Sequence, residues 1–384
     1  MNYYILPKNN LNINIFLFLN IEQIKPFISY SLIYYLNDIY TNLLKLDNKL
    51  SKPNASNITV DYINKIVNPF EFIHTNVPGT ILSVSKVKPE SSLFFDLMEI
   101  FQICNITDIL YPKNKITIAN FTPNFSSSNY LLNMLREENE DTIINDFFDY
   151  DILCEKYIKN TPISKIDLFI FEFKDEDYTD IKQYIKNVLL TFYIIVKYQS
   201  NNGTCIIKFD NIFYKVIIDV ILILTSIYEK VYLIKPTISK ITKGERYIIC
   251  NNFDFDILNK INIFDQLEEK LKDYLINSTS FSNQNIHSIL TNDIPYYFLN
   301  KIEESNAVIG QQQLESYDQI INIFKNKNKE DKVESLKRNH IQKCIQWCEK
   351  NQIPHNKFTD KINIFLNTKR KECEEGLKYL ETSI

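Results

Sequence analysis

Residues 165–209 read KIDLFIFEFKDEDYTDIKQYIKNVLLTFYIIVKYQSNNGTCIIKF. KIDLFIFEF is a continuous apolar run, the pattern of a strand buried on both faces. From Tyr178 to Gln199 the apolar residues recur at helical spacing for about six turns. Asn201-Asn202-Gly203 then supplies a left-handed stop. TCIIKF follows as a second strand. Strand, helix and strand in that order predict a parallel βαβ unit. The second strand carries one lysine, Lys208, near its C-terminal end. A lysine in a buried strand must be paired, reach water, or do chemistry.

The same alternation extends in both directions. FEFIHT (70–75) reads as a short strand ending at NVPGT, and SSLFFDLMEIFQIC (91–104) as a helix. KITIANF (115–121) reads as a strand running into the polar loop TPNFSSSN. After Lys208 come a helix (212–228), the strand KVYLI (230–234), the loop KPTISKITKGE (235–245) and the strand RYIICNNF (246–253). No helix separates the last two strands, so they can pair antiparallel. The fold class predicted is α/β, a Rossmann-like sheet. Residues 1–53 form an N-terminal helical extension, 54–254 the sheet domain, and 255–384 a helical C-terminal module.

Bulk properties narrow the function. The chain has 384 residues, 45% of them hydrophobic, and a formal net charge of −4. Without a global basic field, any nucleic-acid contact must rest on a local patch. The cysteines show no disulfide framework, which fits a reducing, intracellular compartment. The N-terminus lacks a secretory leader's pattern. The longest apolar stretch, VIIDVILILTSIY, holds Asp219 and falls short of a membrane span. There are only five glycines, and Gly79, Gly203 and Gly244 stand at strand–loop junctions.

In a parallel α/β sheet, ligands bind at the C-terminal ends of the strands. Those ends supply HTNVPGT (74–80), ANFTPN (119–124), Glu172, Lys208 and, just before the last strand, Glu245. Two carboxylates would orient the Lys208 ammonium. Burial would push its pKa down toward a value useful in a base.

Residues 165–253 resemble the second half of an FtsJ-like (RrmJ-like) ribose 2′-O-methyltransferase. IDLFIFE (166–172), NGTCIIK (202–208), VYLIKPTISK (231–240) and GERYIIC (244–250) carry the likeness in order and spacing. The chain is similar in particular to the FtsJ-like proteins of large cytoplasmic DNA viruses, including that of African swine fever virus. The resemblance implies a class I methyltransferase fold that uses S-adenosylmethionine. It implies a catalytic set Lys–Asp–Lys–Glu, in which Lys208 and Glu245 are the third and fourth members and Glu172 stands at the Asp. Lys208 would deprotonate a ribose 2′-hydroxyl. The first lysine should lie about two dozen residues before the Pro-Gly of the cofactor loop, near Lys52 and Lys65. Thr75, Pro78, Gly79 and Asn120 are the implied cofactor contacts. Lys235, Lys240, Lys243 and Arg246 would meet RNA phosphates.

Plainer readings stand beside these. Taken alone, Lys208 is an edge-strand lysine in water, and VPGT is a common turn. The basic cluster is a solvated loop. Glu137 to Asp141 read as solvated surface. His340, Cys344 and Cys348 fall on one helix stripe beside Ile341 and Trp347, which points to packing rather than zinc, with His355 further on. No metal is expected. KNKNKEDK (325–332) reads as a linker.

The leading function is an RNA ribose 2′-O-methyltransferase, with capped mRNA the substrate that a viral likeness implies. Viral transcription or capping proteins would be partners, the host cytoplasm or virion the location, and no membrane would be involved. The alternative is an inactive methyltransferase fold kept as an RNA-binding or assembly subunit. The loop lacks its second glycine, glutamate replaces aspartate, and the first lysine is missing.

Overall fold

The computed structural model describes residues 2–9, 13–50, 60–110, 112–136, 139–159, 165–173, 180–260, 262–276, 284–325 and 330–358. Its strands are β1 (Asn2–Leu6), β2 (Ile15–Asn20), β3 (Thr117–Phe121), β4 (Thr142–Asp146), β5 (Ile166–Phe171), β6 (Gln199–Phe209), β7 (Tyr228–Lys235), β8 (Arg246–Phe253) and β9 (Asn285–Leu290). The helices of the first half are α1 (Tyr30–Leu50), α2 (Val60–Val67), α3 (Leu93–Ile103), α4 (Ile106–Leu110), α5 (Phe125–Arg136) and α6 (Tyr150–Leu153). Those of the second half are α7 (Ile181–Tyr198), α8 (Lys215–Ile227), α9 (Phe255–Lys260), α10 (Ile263–Lys270), α11 (Lys272–Ile276), α12 (Tyr296–Lys325) and α13 (Glu330–Lys350).

Seven strands form one sheet in the order β1-β7-β8-β6-β5-β3-β4. β3, β4, β5 and β6 pair in parallel, while β8 runs antiparallel between β6 and β7. The opening βαβ prediction holds: β5 and β6 are parallel neighbours joined by α7. Asp180 caps that helix, accepting from the amides of Lys182 and Gln183. The helix-free connection after β7 gives the antiparallel β7–β8 pair, as its length requires.

Apolar residues on the two faces of the sheet build two cores. One lies under α7 and α8, the other under α3 and α5, with Cys344, Trp347 and Cys348 of α13 packed into it. From Val216 to Ile227 every residue of α8 is buried, which accounts for the longest apolar stretch of the chain. Its outer side is covered by a two-stranded sheet of β2 and β9. Asp219 is fully buried there. It accepts from Lys215 at 2.6 Å, the Ser288 hydroxyl at 2.6 Å and the Ile289 amide at 3.0 Å. The one charge in the apolar run therefore stitches α8 to β9. Among the described residues, no helix is long and apolar enough to cross a membrane.

Several elements depart from the sequence expectation, among them β2, in the segment read as helical, and β4, where no strand was expected. β1 joins the main sheet by pairing with β7, from within a segment read as helical. β9 interrupts the helical stretch after Asp254. FEFIHT is no strand. Glu71–Ile73 form a 3₁₀ turn, and the amides of Val84 and Ser85 bond to the carbonyls of Phe72 and Ile73. A short apolar run between Pro69 and Pro78 satisfies its backbone locally. The helix read over residues 359–380 lies outside the described residues.

Gly203 marks a close approach. A Cβ there would stand 2.1 Å from the Gln199 side-chain nitrogen and 2.9 Å from the Ser200 carbonyl. The Gln199 side chain lies across it, donating to Ile166 O at 2.9 Å and accepting from the Tyr228 hydroxyl at 2.8 Å. Gly203→Ala is therefore expected to destabilise the protein by about 1–3 kcal/mol through overpacking. Urea unfolding would measure it, and an unchanged midpoint would refute the close approach.

Candidate active site

One row of side chains crosses the C-terminal end of the sheet. Phe121 pairs with Phe171 and Phe171 with Ile207, so Thr122, Glu172 and Lys208 stand one position beyond. Lys208 is opposite Tyr247 on β8. Alternation along each strand puts all four on one face, above Ile170, Ile206 and Ile249. That face is the one α3 covers.

Lys208 sits between two carboxylates, 2.7 Å from Glu172 and 2.5 Å from Glu245. Its side chain is 13% exposed and theirs 17% and 13%, so all three are largely out of water. A third carboxylate enters from α3. Asp96 accepts from the Ser239 hydroxyl at 2.8 Å and from the Tyr247 hydroxyl at 3.0 Å. Burial alone would pull the Lys208 ammonium down. Tyr247, Glu245, Glu172 and Asp96 outweigh it and hold the group well above its ordinary value. The expected lowering is thus reversed: Lys208 rests as an ammonium. Burial also acts against Glu245, but Lys208 first, then Lys243 and Lys235, hold it down at about 2. Asp96 goes the other way. Burial raises it to about 7, against the opposing pull of Lys208.

The loop that delivers Glu245 is held from four sides. Lys235, 4% exposed, donates to the carbonyls of Lys240, Lys243 and Glu245 at 3.0, 2.8 and 3.0 Å. Glu99 of α3 takes the Thr237 amide and hydroxyl. Asn68, just past α2, accepts from the Ile241 amide, and Tyr317 of α12 donates to Thr242 O. Two proposed phosphate contacts are therefore corrected. Lys235 is spent inside the loop, and burial lowers it to about 8. Arg246 is 1% exposed and donates to Gly244 O and to Asn306 of α12 at 2.6 Å. Lys240 and Lys243 keep side chains 42% and 43% exposed at the rim.

The expected cofactor loop is also corrected. Thr75, Pro78 and Gly79 follow the 3₁₀ turn and end no strand; Gly79 is exposed with φ 86°. The chain reverses direction across the sheet between β3 and β5, β3 leading outward to β4 and β5 to β6. Ligands of open α/β sheets bind at such a switch point. The loop there is Thr122-Pro123-Asn124, which opens α5. Asn120 stands beneath it, donating to Ser128, Asn129 and Asn145. Asn120 Oδ1 and Thr122 Oγ1 are buried with no hydrogen-bond partner. Glu172 N donates to Phe121 O at 2.9 Å, so this crevice adjoins the Lys208 row. Asp146 ends β4, roughly twenty residues after the loop, where dinucleotide folds place a ribose-binding carboxylate. Phe147 follows it, its ring 5.2 Å from that of Phe125.

Sequence reasoning took in Thr122 only as part of ANFTPN and missed Asp146 and Asp96. The strand-end rule applied to β4 would have found Asp146. Lys65 is exposed on α2, away from this row, and Lys52 lies outside the described residues. His340, Cys344 and Cys348 are buried, and Cys344 Sγ lies 3.5 Å from Pro69 O. Among the described residues, no cluster of His, Cys, Asp and Glu could hold a metal ion. Asp141 is no free surface acid: it pairs with Arg136 at 2.5 Å and accepts from the Ile116 amide.

The fold is a Rossmann-like α/β sheet, with an antiparallel strand inserted beside its last parallel one. No family profile matches the chain, and no curated protein sequence matches it. Among solved structures, it is similar to a protein described as a ribosomal RNA methyltransferase from Plasmodium falciparum. Identity is 14%, coverage 42% of this chain and 97% of that one, and TM-score 0.31. A protein described as a spermidine synthase from Corynebacterium glutamicum matches at 12% identity, 56% and 89% coverage, and TM-score 0.29. One described as a class I S-adenosylmethionine-dependent methyltransferase from Listeria monocytogenes matches at 12%, 60% and 82% coverage, and TM-score 0.27.

Removing the Lys208 charge leaves two buried carboxylates facing each other. Lys208→Met is expected to cost about 3 kcal/mol at pH 7. Glu245, held at about 2 in the folded protein against 4.5 ordinarily, stabilises it above pH 4.5 and loses that contribution as pH falls toward 2. In the variant this carboxylate destabilises instead, so the deficit should shrink as pH falls from 7 to 3. Urea unfolding across that range would measure it. A deficit independent of pH would mean packing, not charge, is what Lys208 contributes.

Proposed function

We propose that this protein is an S-adenosylmethionine-dependent RNA ribose 2′-O-methyltransferase of FtsJ-like type. The observation that carries the proposal is the Lys208 ammonium held between Glu172 and Glu245 beside the switch-point crevice. The crevice residues fit the cofactor. Asn120 and Thr122 offer unpartnered buried oxygens, and the start of α5 suits a carboxylate. Asp146 would hold the ribose, and Phe125 and Phe147, packed against each other, would offer the adenine an apolar edge. When bound, the cofactor supplies the methyl group on a sulfonium.

Lys208 would hold the attacking 2′-oxygen by a charge-assisted hydrogen bond. Glu172, the more exposed of its two carboxylates, would take the departing proton. Lys240 and Lys243 would contact the RNA backbone from the rim. Capped mRNA is the substrate that the viral likeness suggests, with capping or transcription proteins as partners in the host cytoplasm or virion.

A second reading is favoured by two observations. The loop Thr122-Pro123-Asn124 has no glycine, and a carboxylate, Asp96, stands beside Lys208 where a second cation would be expected. On that reading the fold serves as an inactive RNA-binding or assembly subunit.

Titration calorimetry with S-adenosylmethionine separates the two. We expect binding that Asp146→Ala weakens at least tenfold, whereas no binding at millimolar cofactor would leave the second reading. Methyl transfer to RNA should fail on a 2′-deoxy substrate and drop about 10²–10⁴-fold in Lys208→Met. Lys240→Glu with Lys243→Glu should weaken RNA binding and flatten its salt dependence by roughly two phosphate contacts. An unchanged salt slope would place the RNA elsewhere.

A further inference from the structure

α3 presents two acidic side chains three positions apart, Asp96 and Glu99, 3% and 8% exposed, on one face. They do different work. Both Glu99 oxygens are taken by Thr237, so Glu99 anchors the start of the β7–β8 loop. Asp96 instead reaches the charged row. Its partners are Ser239 of the loop and Tyr247 of β8. Lys208, Glu245 and Lys235 lie within its electrostatic field, and Glu172 shares Lys208 with it. The Tyr247 ring centroid is 6.0 Å from Lys208 Nζ, so the tyrosine is wedged between the carboxylate and the ammonium. With the cofactor loop moved to Pro123, Asp96 falls roughly two dozen residues before it. That is where the FtsJ-like resemblance calls for a first lysine.

We propose that Asp96 is a positioning residue for methyl transfer, holding Lys208 as an ammonium and fixing Tyr247 and the Glu245 loop around it. The inference rests on the methyltransferase reading. Lys208 answers Glu172 and Glu245 directly and Asp96 through the field between them, while Lys243 reaches Glu245 from the rim. Among the described residues, Asp96 stands where the resemblance calls for a lysine, so the charge facing a developing 2′-oxyanion from that side is negative and proton removal must accompany attack. The departing proton ends on a carboxylate, and the charge that keeps Lys208 an ammonium is set in part by Asp96. Burial places the Asp96 ionisation in the neutral range, at about 7. Below that pH Asp96 is neutral and Lys208 loses one negative neighbour; above it Asp96 adds its charge to the cluster. Methyl transfer should therefore rise as pH increases through 7.

The test uses the full chain labelled with ¹³C at the lysine ε position, the Lys208 signal being identified by its loss in Lys208→Arg. In the unaltered protein that signal should show an inflection near pH 7. It should vanish in Asp96→Asn and persist in Glu99→Gln, which loosens the same loop without facing Lys208. Tyr247→Phe keeps the Asp96 charge but removes a hydrogen bond to its ionised form, so there the inflection should move to higher pH. In the transfer assay, Asp96→Asn should lower kcat about tenfold to a hundredfold with little change in KM for the cofactor. It should also flatten the limb near pH 7. No inflection in the unaltered protein, or an inflection that survives Asp96→Asn, overturns the proposal. So does an unchanged kcat in Asp96→Asn. A chain that transfers no methyl group at all overturns the methyltransferase reading instead, and the lysine titration then decides the electrostatic coupling by itself.

Discussion

The buried ion cluster around Lys208 is the constraint that much of this structure serves. An ammonium out of water is costly unless charge and hydrogen bonds surround it. Meeting that need draws in four separate parts of the chain. β6 carries the lysine, β5 ends in Glu172, the β7–β8 loop brings Glu245, and α3 adds Asp96. The loop itself has no regular structure, so its geometry must be set from outside. Lys235 closes it from within, while α3, Asn68 and α12 grip it from three directions. The helices flanking the sheet are thus part of the apparatus that places one glutamate.

The cluster and the crevice obey different physical rules. The cluster is crowded, and nearly every charge in it is answered. The crevice beside it is the reverse, with buried oxygens of Asn120 and Thr122 left unanswered. Satisfied polar groups are the norm in protein interiors, so these two stand out against the answered charges next to them. Their juxtaposition across the Phe121–Glu172 hydrogen bond sets an acceptor-rich hollow against a rigid charged wall.

What the sequence disclosed followed from locality. Lys208, Glu172 and Glu245 were legible because alternating strands and helices place strand ends on one edge, a rule independent of distant contacts. The antiparallel end of the sheet was legible from a connection too short for a crossover. The switch-point loop was not, because Val-Pro-Gly-Thr looks like a phosphate-type turn and Thr-Pro-Asn does not. Only the strand order reveals which of them ends a central strand. Asp96 was hidden for another reason: on its helix it is one acid among apolar neighbours, and its meaning arises from Tyr247, far along the chain. β1, β2 and β9 are short strands whose partners are distant, and periodicity over five or six residues carries little weight. Lys235 and Arg246 illustrate a further limit. A basic cluster in a loop looks solvated, yet two of its members turn inward to satisfy carbonyls and an amide.

The β1–β7 pairing has a consequence for synthesis. Tyr3 and Ile5 are delivered by the ribosome early, but their partners Ile234 and Tyr232 arrive more than two hundred residues later. β2 waits longer still, for β9. Until then these apolar segments have no edge to join, and domains that fold during translation hold such segments exposed. Maturation of the sheet is therefore a late event, sealed from its N-terminal end. A nascent chain arrested before β9 would present sticky strands to chaperones rather than a finished fold.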